Sequence, residues 1–210
     1  MNFESSIDEL VDRIDEFFFD TFQYRNMLEL FAGDGSLYTK KLNKNSEVCI
    51  GCEIDGTKEE GFKTNIHQGI FIQTDSIGLT KLGKVQEIIK KYNINLLSID
   101  NPLGIFGDSY VEHFDILGSL SLMFPPGDFM LLIDVVTKPY SYEEHSQWKR
   151  LREDYYGTDA SYLSDDFLKD FYSKLIINSG MRVNGLKVFN REKVNNENYF
   201  SVIACYITKE

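Results

Sequence analysis

The sequence is short of most features that mark secreted, membrane-spanning or nucleic-acid-coating proteins. Only 3 of its 210 residues are cysteine, an odd number, so a disulfide framework is not expected. Basic residues are outnumbered, 22 Lys and Arg against 33 Asp and Glu, and the resulting net charge of −11 argues against broad clamping of a phosphate backbone. No run approaches the roughly 18 apolar residues of a membrane span, and the opening MNFESSIDEL is acidic where a secretory signal would be basic. The expectation is a cytoplasmic protein with no membrane partner.

Metal ligands are scarce too. Cys49 and Cys52 have the spacing of half a zinc site, but Cys205 is distant and His67, His113 and His145 are scattered, so the second ligand pair is missing. No metal is expected. The two cysteines read instead as small apolar residues of a buried strand.

What the chain does have is apolar material: it is 42% hydrophobic with 16 Phe and 12 Tyr, enough for one packed core and no sign of disorder. An amphipathic helix is expected within residues 1–24, then one domain over 25–210 with an insertion at about 138–160. Ile7, Leu10, Val11, Ile14, Phe17 and Phe18 share one face of that first helix, and Ser6 with Glu9 reads as its capping box. Its other face gathers most of the seven acidic residues that oppose one Arg in residues 1–22, a solvated surface or a surface for a protein partner.

After Asn26 short apolar runs alternate with helical stretches, the pattern of a mostly parallel sheet covered on both faces. Strands are expected at Met27 to Phe31, Glu47 to Cys52, Ile70 to Thr74, Asn95 to Ile99 and Phe129 to Val136. Helices are expected over Val85 to Tyr92, from a Ser109 and Glu112 capping box through Leu120, and from Phe167 to a stop near Gly180. The runs MRVNGLKVFNRE and NYFSVIACYITK have no helix between them and should pair as an antiparallel hairpin.

The chemistry begins at LELFAGDGS, where Gly33 and Gly35 open a turn after the first strand. Glycines there let the backbone turn tightly and approach a ligand. A dinucleotide GxGxxG pattern would need glycine at position 38, which is Tyr38, so a pyrophosphate is disfavoured. Glu53 ends the next strand, 53 − 33 = 20 residues after the first glycine, where a carboxylate can accept both ribose hydroxyls of a nucleoside. Asp55 competes for that role. Asp75 follows the third strand, where it could accept an adenine amine or simply cap a helix.

Together these residues resemble the class I S-adenosylmethionine-dependent methyltransferases. Glu29-Leu30-Phe31-Ala32-Gly33-Asp34-Gly35 is similar to that family's first motif, an acidic residue four before the first glycine of GxG. Glu53 matches its ribose-binding acid and Asp75 its adenine-contacting one. The resemblance spans roughly residues 25 to 205, because the terminal hairpin is like the family's sixth and seventh strands. It implies a single three-layer, doubly wound α/β domain whose seven-stranded sheet is ordered 3-2-1-4-5-7-6, with only the seventh strand antiparallel. It also implies S-adenosylmethionine as cofactor, held by Glu29, Phe31, Gly33, Gly35, Glu53 and Asp75.

The fourth strand ends in LLSIDNPLGIFG, which resembles the Asn/Asp-Pro-Pro-aromatic motif of methyltransferases acting on planar amino or amide nitrogens. The resemblance implies catalytic roles for Asp100, Asn101 and Pro102, with Asn101 orienting the acceptor. Leu103 replaces the second proline and Gly104 the aromatic, so a stacking ring would come from Phe106 or Tyr110. Read for itself, Asn101-Pro102 is also an ordinary turn after a strand. No Cys lies beside this proline, which disfavours methylation of a cytosine carbon, and His113 is a candidate base with a structural alternative.

In the insertion, Tyr140, Tyr142 and Trp148 interleave with Lys149, Arg150 and Arg152 and could meet the acceptor, or pack as an amphipathic helix. The expected partners are a nucleic-acid base, a protein or a small-molecule acceptor. Two other classes remain open on the residues alone: a non-catalytic binding module on the same fold, and a nicotinamide-dependent oxidoreductase.

Overall fold

The computed structural model describes residues 3–18, 20–36, 38–100, 104–106, 109–112, 114–139, 142–194 and 197–210. Its strands are β1 (Asn26–Leu30), β2 (Val48–Glu53), β3 (Ile70–Gln73), β4 (Leu96–Ile99), β5 (Gly104–Phe106), β6 (Ser109–Val111), β7 (Gly127–Val136), β8 (Met181–Val194) and β9 (Glu197–Lys209). The helices are α1 (Phe3–Phe18), α2 (Tyr38–Leu42), α3 (Glu59–Asn65), α4 (Ser76–Lys81), α5 (Lys84–Tyr92), α6 (Phe114–Leu117), α7 (Leu120–Met123), α8 (Ser146–Tyr156) and α9 (Asp165–Asn178).

Seven strands form one sheet in the order β3-β2-β1-β4-β7-β9-β8, and β5 pairs with β6 in a separate ribbon. Without that ribbon the order is 3-2-1-4-5-7-6, as the resemblance implies. Pairings from β3 across to β7 are parallel, whereas β9 is antiparallel to both its neighbours and is the one strand running against the rest. Strand order reverses between β1 and β4. That reversal is the switch point where open α/β sheets leave a crevice at the carboxyl ends of their strands.

Two cores sandwich the sheet, and strand alternation assigns residues to them. Leu28, Leu30, Leu97, Ile99, Leu131 and Ile133 pack toward α5, α6, α7 and α9. Met27, Cys49, Leu96, Met130 and Leu132 face the other way, onto α1, α2 and Phe62 of α3. Helix α1 is part of this second core, since Ile7, Leu10, Val11, Ile14 and Phe18 are buried while Glu9, Asp12 and Glu16 face out. Among the described residues no helix is long and apolar enough to cross a membrane.

Two expectations need correction. Ser6 lies inside α1, which starts at Phe3, so it cannot cap that helix. Ser109 and Glu112 do not form a capping box either: Ser109–Val111 is strand β6, and the expected helix is two short ones, α6 and α7. Glu112 is buried and ion-paired with Arg152 instead. The terminal hairpin is longer than its apolar runs, with β8 reaching Val194 and β9 starting at Glu197.

Candidate functional site

The turn after β1 uses left-handed backbone at three alternating positions, Phe31 (φ 61°), Gly33 (φ 56°) and Gly35 (φ 69°). Side-chain-bearing residues avoid that region at a cost of about 1–2 kcal/mol, so glycine suits 33 and 35, and Phe31 is held there by its surroundings. The two glycines serve different purposes. A Cβ on Gly35 would come within 2.9 Å of the Phe62 ring, so this glycine lets the turn lie against α3. A Cβ on Gly33 would meet nothing within 4 Å, which leaves its backbone facing open space where a ligand can approach.

Glu53, at the end of β2, reaches this turn directly. Its carboxylate accepts the Gly33 N–H at 3.0 Å through Oε2 and the Asp55 N–H at 3.0 Å through Oε1. Each oxygen keeps a lone pair for another donor, such as a ribose hydroxyl. Ile54 follows immediately and is 61% exposed, an apolar surface beside a polar grip that sequence reasoning missed. Asp55 is occupied with its own turn, accepting the Thr57 N–H at 3.0 Å and the Thr57 hydroxyl at 2.7 Å. Those bonds hold its carboxyl below the ordinary carboxylate range.

Asp75 lies past β3 and caps α4, its two oxygens accepting the N–H groups of Ile77 at 3.0 Å and Gly78 at 3.1 Å. The cap does not use up its acceptor capacity, and the side chain is exposed at the same sheet edge. Glu29 is different in kind. It is buried within β1 and accepts hydrogen bonds from the Thr39 hydroxyl and, at 3.2 Å, the Ser98 hydroxyl. Burial first and the Asp100 carboxylate second push its carboxyl up to about 8.

At the end of β4 the structure places Asp100 half-buried, its N–H donating to the Leu30 carbonyl at 3.2 Å. Asn101, Pro102 and Leu103, like His113 and Tyr140, lie outside the described residues. Phe106 and Tyr110 belong to the ribbon that follows, where Ile105 pairs with Tyr110 and Phe106 with Ser109; their side chains are not among those described. In the insertion, Trp148 is buried and its indole N–H donates to Glu112 at 2.8 Å, whereas Arg150 is exposed. Arg152 is fully buried, bonded to Glu112 and, at 2.9 Å, to the Val136 carbonyl. This helix fastens the insertion to the domain and leaves Arg150 available to a ligand.

A group that sequence reasoning did not assemble lies behind Asp100. Arg191 of β8 donates a buried hydrogen bond to the Asp134 carboxyl of β7, and its guanidinium is also 4.0 Å from Asp100. Burial raises the Asp134 carboxyl to about 8, Arg191 opposing and Asp100 adding to that rise. The three cysteines are buried, burial holding the Cys52 thiol up at about 12, and no set of three His, Cys, Asp or Glu among the described residues is placed to hold a metal. A cavity of about 550 Å³ is at the opposite edge of the sheet, between α1 and the strand starts. It has no glycine turn or switch point, so the carboxyl edge is the better candidate.

No protein-family profile matches the sequence, and no curated protein matches it. Solved structures do. The plantazolicin methyltransferase BamL, crystallised with a triazolic desmethyl analogue and S-adenosylhomocysteine, superposes with a TM-score of 0.56 at 11% identity over 98% of this chain and 86% of its own. An S-adenosylmethionine-dependent methyltransferase from Anabaena variabilis gives 0.57 at 9% identity over 99% and 87%. The N-methyltransferase NodS from Bradyrhizobium japonicum, with S-adenosylhomocysteine, gives 0.55 at 11% over 99% and 87%. This chain has the fold of the class I S-adenosylmethionine-dependent methyltransferases.

Proposed function

We propose that this protein is a methyltransferase that uses S-adenosylmethionine to methylate a nitrogen acceptor. The observation that carries the reading is the pairing of an open glycine, Gly33, with Glu53 at the switch point, where the carboxylate is already fixed by the Gly33 N–H. Gly33 lets the ligand approach the chain's backbone, Glu53 accepts hydrogen bonds from the ribose hydroxyls, Ile54 offers an apolar wall to the adenine, and Asp75 accepts a hydrogen bond from its amine. Bound there, the cofactor supplies a sulfonium-activated methyl group.

The chain's own contribution is chiefly positioning, because little acid-base help is needed once the methyl carries so good a leaving group. With the adenosine held by residues at the ends of β1, β2 and β3 and the acceptor by those at the end of β4, the methyl would meet the acceptor between the β1 and β4 termini. Asn101 orients the acceptor nitrogen, its uncharged carboxamide oxygen accepting from the NH₂ group. Asp100 is the neighbouring acceptor for the proton that the nitrogen sheds. Arg150, exposed on α8, serves the acceptor's recognition. NodS is named an N-methyltransferase and shares the fold, which supports a nitrogen acceptor.

Calorimetric titration with S-adenosylmethionine, S-adenosylhomocysteine and NAD, followed by assay of nitrogen acceptors in the form of bases, peptides and small amines, tests the reading. Binding of the first two ligands and methyl transfer to nitrogen are expected. Binding of NAD alone would replace the reading with the oxidoreductase one, and binding without transfer to any acceptor would favour a non-catalytic module.

A further inference from the structure

Glu29, Asp100 and Asp134 sit on adjacent strands at the carboxyl edge, on the sheet face shared with α1 and α2. Glu29 pairs in register with Ser98, and Ile99 pairs with Ile133, which sets Asp100 and Asp134 side by side. Their cation arrives from two strands away. The β8 ladder skips a residue between Asn190 and Glu192, and this bulge turns Arg191 out to Asp134 and Asp100. The guanidinium lies 4.7 Å from the centre of the Tyr38 ring, whose buried hydroxyl has no hydrogen-bond partner among the described residues. Exposures of 1% for Glu29, 3% for Asp134 and 9% for Arg191 leave Asp100, at 21%, as the cluster's opening to the cofactor side.

Three carboxyls therefore share one guanidinium. Fully ionised, the set carries 1 − 3 = −2; with Glu29 and Asp134 protonated it carries 1 − 1 = 0. Tyr38 stays neutral, since burial and the surrounding carboxylates raise its hydroxyl well above the ordinary range.

We propose that this cluster sets the electrostatic field at the reacting sulfur, favouring the cationic sulfonium of S-adenosylmethionine over the neutral thioether of S-adenosylhomocysteine. The inference rests on the cofactor reading above, which puts the methyl between the β1 and β4 termini. The two ligands share their adenosine and carboxylate groups, and the different titration of their amino groups cancels when the natural protein and a variant are compared at the same pH. What remains is one positive charge facing a group whose charge runs from neutral to doubly negative. At a low effective dielectric a single unit charge several ångströms away changes such a ratio by a few-fold.

The test is calorimetry of both ligands at about pH 6.5 and about pH 9. At about pH 9 the affinity ratio of S-adenosylmethionine to S-adenosylhomocysteine is expected to be at least about threefold higher in the natural protein than in Asp134→Asn, which removes one of the titrating groups, and at about pH 6.5 the two should differ less. Asp100→Asn, at the more exposed position, gives a second reading should Asp134→Asn fold poorly: it should lower the ratio at both pH values. Binding of both ligands with the same ratio in the natural protein and a folded Asp134→Asn at about pH 9, or a ratio unmoved in Asp100→Asn, would overturn the proposal while leaving the cofactor reading intact. Failure of either ligand to bind at either pH would overturn both.

Discussion

Glu53 accepts the backbone N–H of Gly33 across twenty residues of sequence, at 3.0 Å, and so ties the end of β2 to the turn that follows β1. This single bond joins the two sides of the crevice at the switch point. Removing the carboxylate should therefore do more than delete a ligand contact. In Glu53→Ala the ribose loses a charge-assisted pair of hydrogen bonds, each worth about 1.5–3 kcal/mol when buried, and affinity for S-adenosylmethionine should fall tenfold or more by calorimetry. Asp55→Ala is the control. Its carboxyl caps its own turn, so cofactor affinity should hardly change, and a large loss there would move the ribose contact to Asp55.

The two glycines of the turn should fail differently. Both Gly33→Ala and Gly35→Ala incur the left-handed strain of about 1–2 kcal/mol, but only Gly35→Ala also drives a methyl against Phe62. Denaturant titration should show Gly35→Ala as the less stable variant. Calorimetry should show Gly33→Ala, whose new methyl points into open space, as the one that loses cofactor out of proportion to its stability.

Stability should fall as pH rises through neutrality. Glu29 is raised from 4.5 to about 8 by burial, so between those values the folded protein holds a proton that the unfolded chain has released. In that window the folded state binds more protons, and linkage makes each step of rising pH destabilising, by roughly 1 kcal/mol per pH unit for one such group. Asp134, raised from 3.8 to about 8, acts in the same direction. Denaturation midpoints measured from about pH 5 to about pH 8 should decline, and Glu29→Gln should flatten the slope. A midpoint that climbs over this range would mean the buried carboxyls are ionised.

Helix α8 places an exposed arginine, Arg150, two residues from a buried one, Arg152. Arg152→Ala strands Glu112 in the core and should cost about 3–5 kcal/mol, since breaking a buried pair leaves an uncompensated charge. Arg150→Ala should leave stability within about 0.5 kcal/mol, the range of ordinary surface changes, while raising the Michaelis constant for the acceptor. If the acceptor constant is unmoved, α8 contributes packing alone.

Asn101→Ala should lower turnover about a hundredfold or more with cofactor affinity nearly unchanged, the pattern of a lost positioning contact. Near-normal turnover there with collapse in Asp100→Ala would assign the role to the carboxylate.

The parts of this molecule that were legible in the sequence are those whose signal is local. Buried parallel strands announce themselves as short apolar runs, and Gly33, Gly35 and Glu53 fall at strand ends that those runs locate. Glu112 was misread because Ser109 and Glu112 have the spacing of a helix cap, whereas tertiary contacts with Trp148 and Arg152 claim the carboxylate. The Asp100, Asp134 and Arg191 group was invisible for another reason. It depends on strand register and on a bulge in β8, neither of which leaves a mark on composition or periodicity. Ile54 carries no signal in the sequence, because an exposed isoleucine gains meaning only from the carboxylate beside it at the crevice.

Direct calorimetric titration of the purified protein tests most simply whether the carboxyl edge binds S-adenosylmethionine. Saturable binding of S-adenosylmethionine and S-adenosylhomocysteine, weakened at least tenfold by Glu53→Ala, and no binding of NAD are expected. Saturable binding of NAD, or indifference of the folded protein to both methyl-cycle ligands, would contradict that expectation.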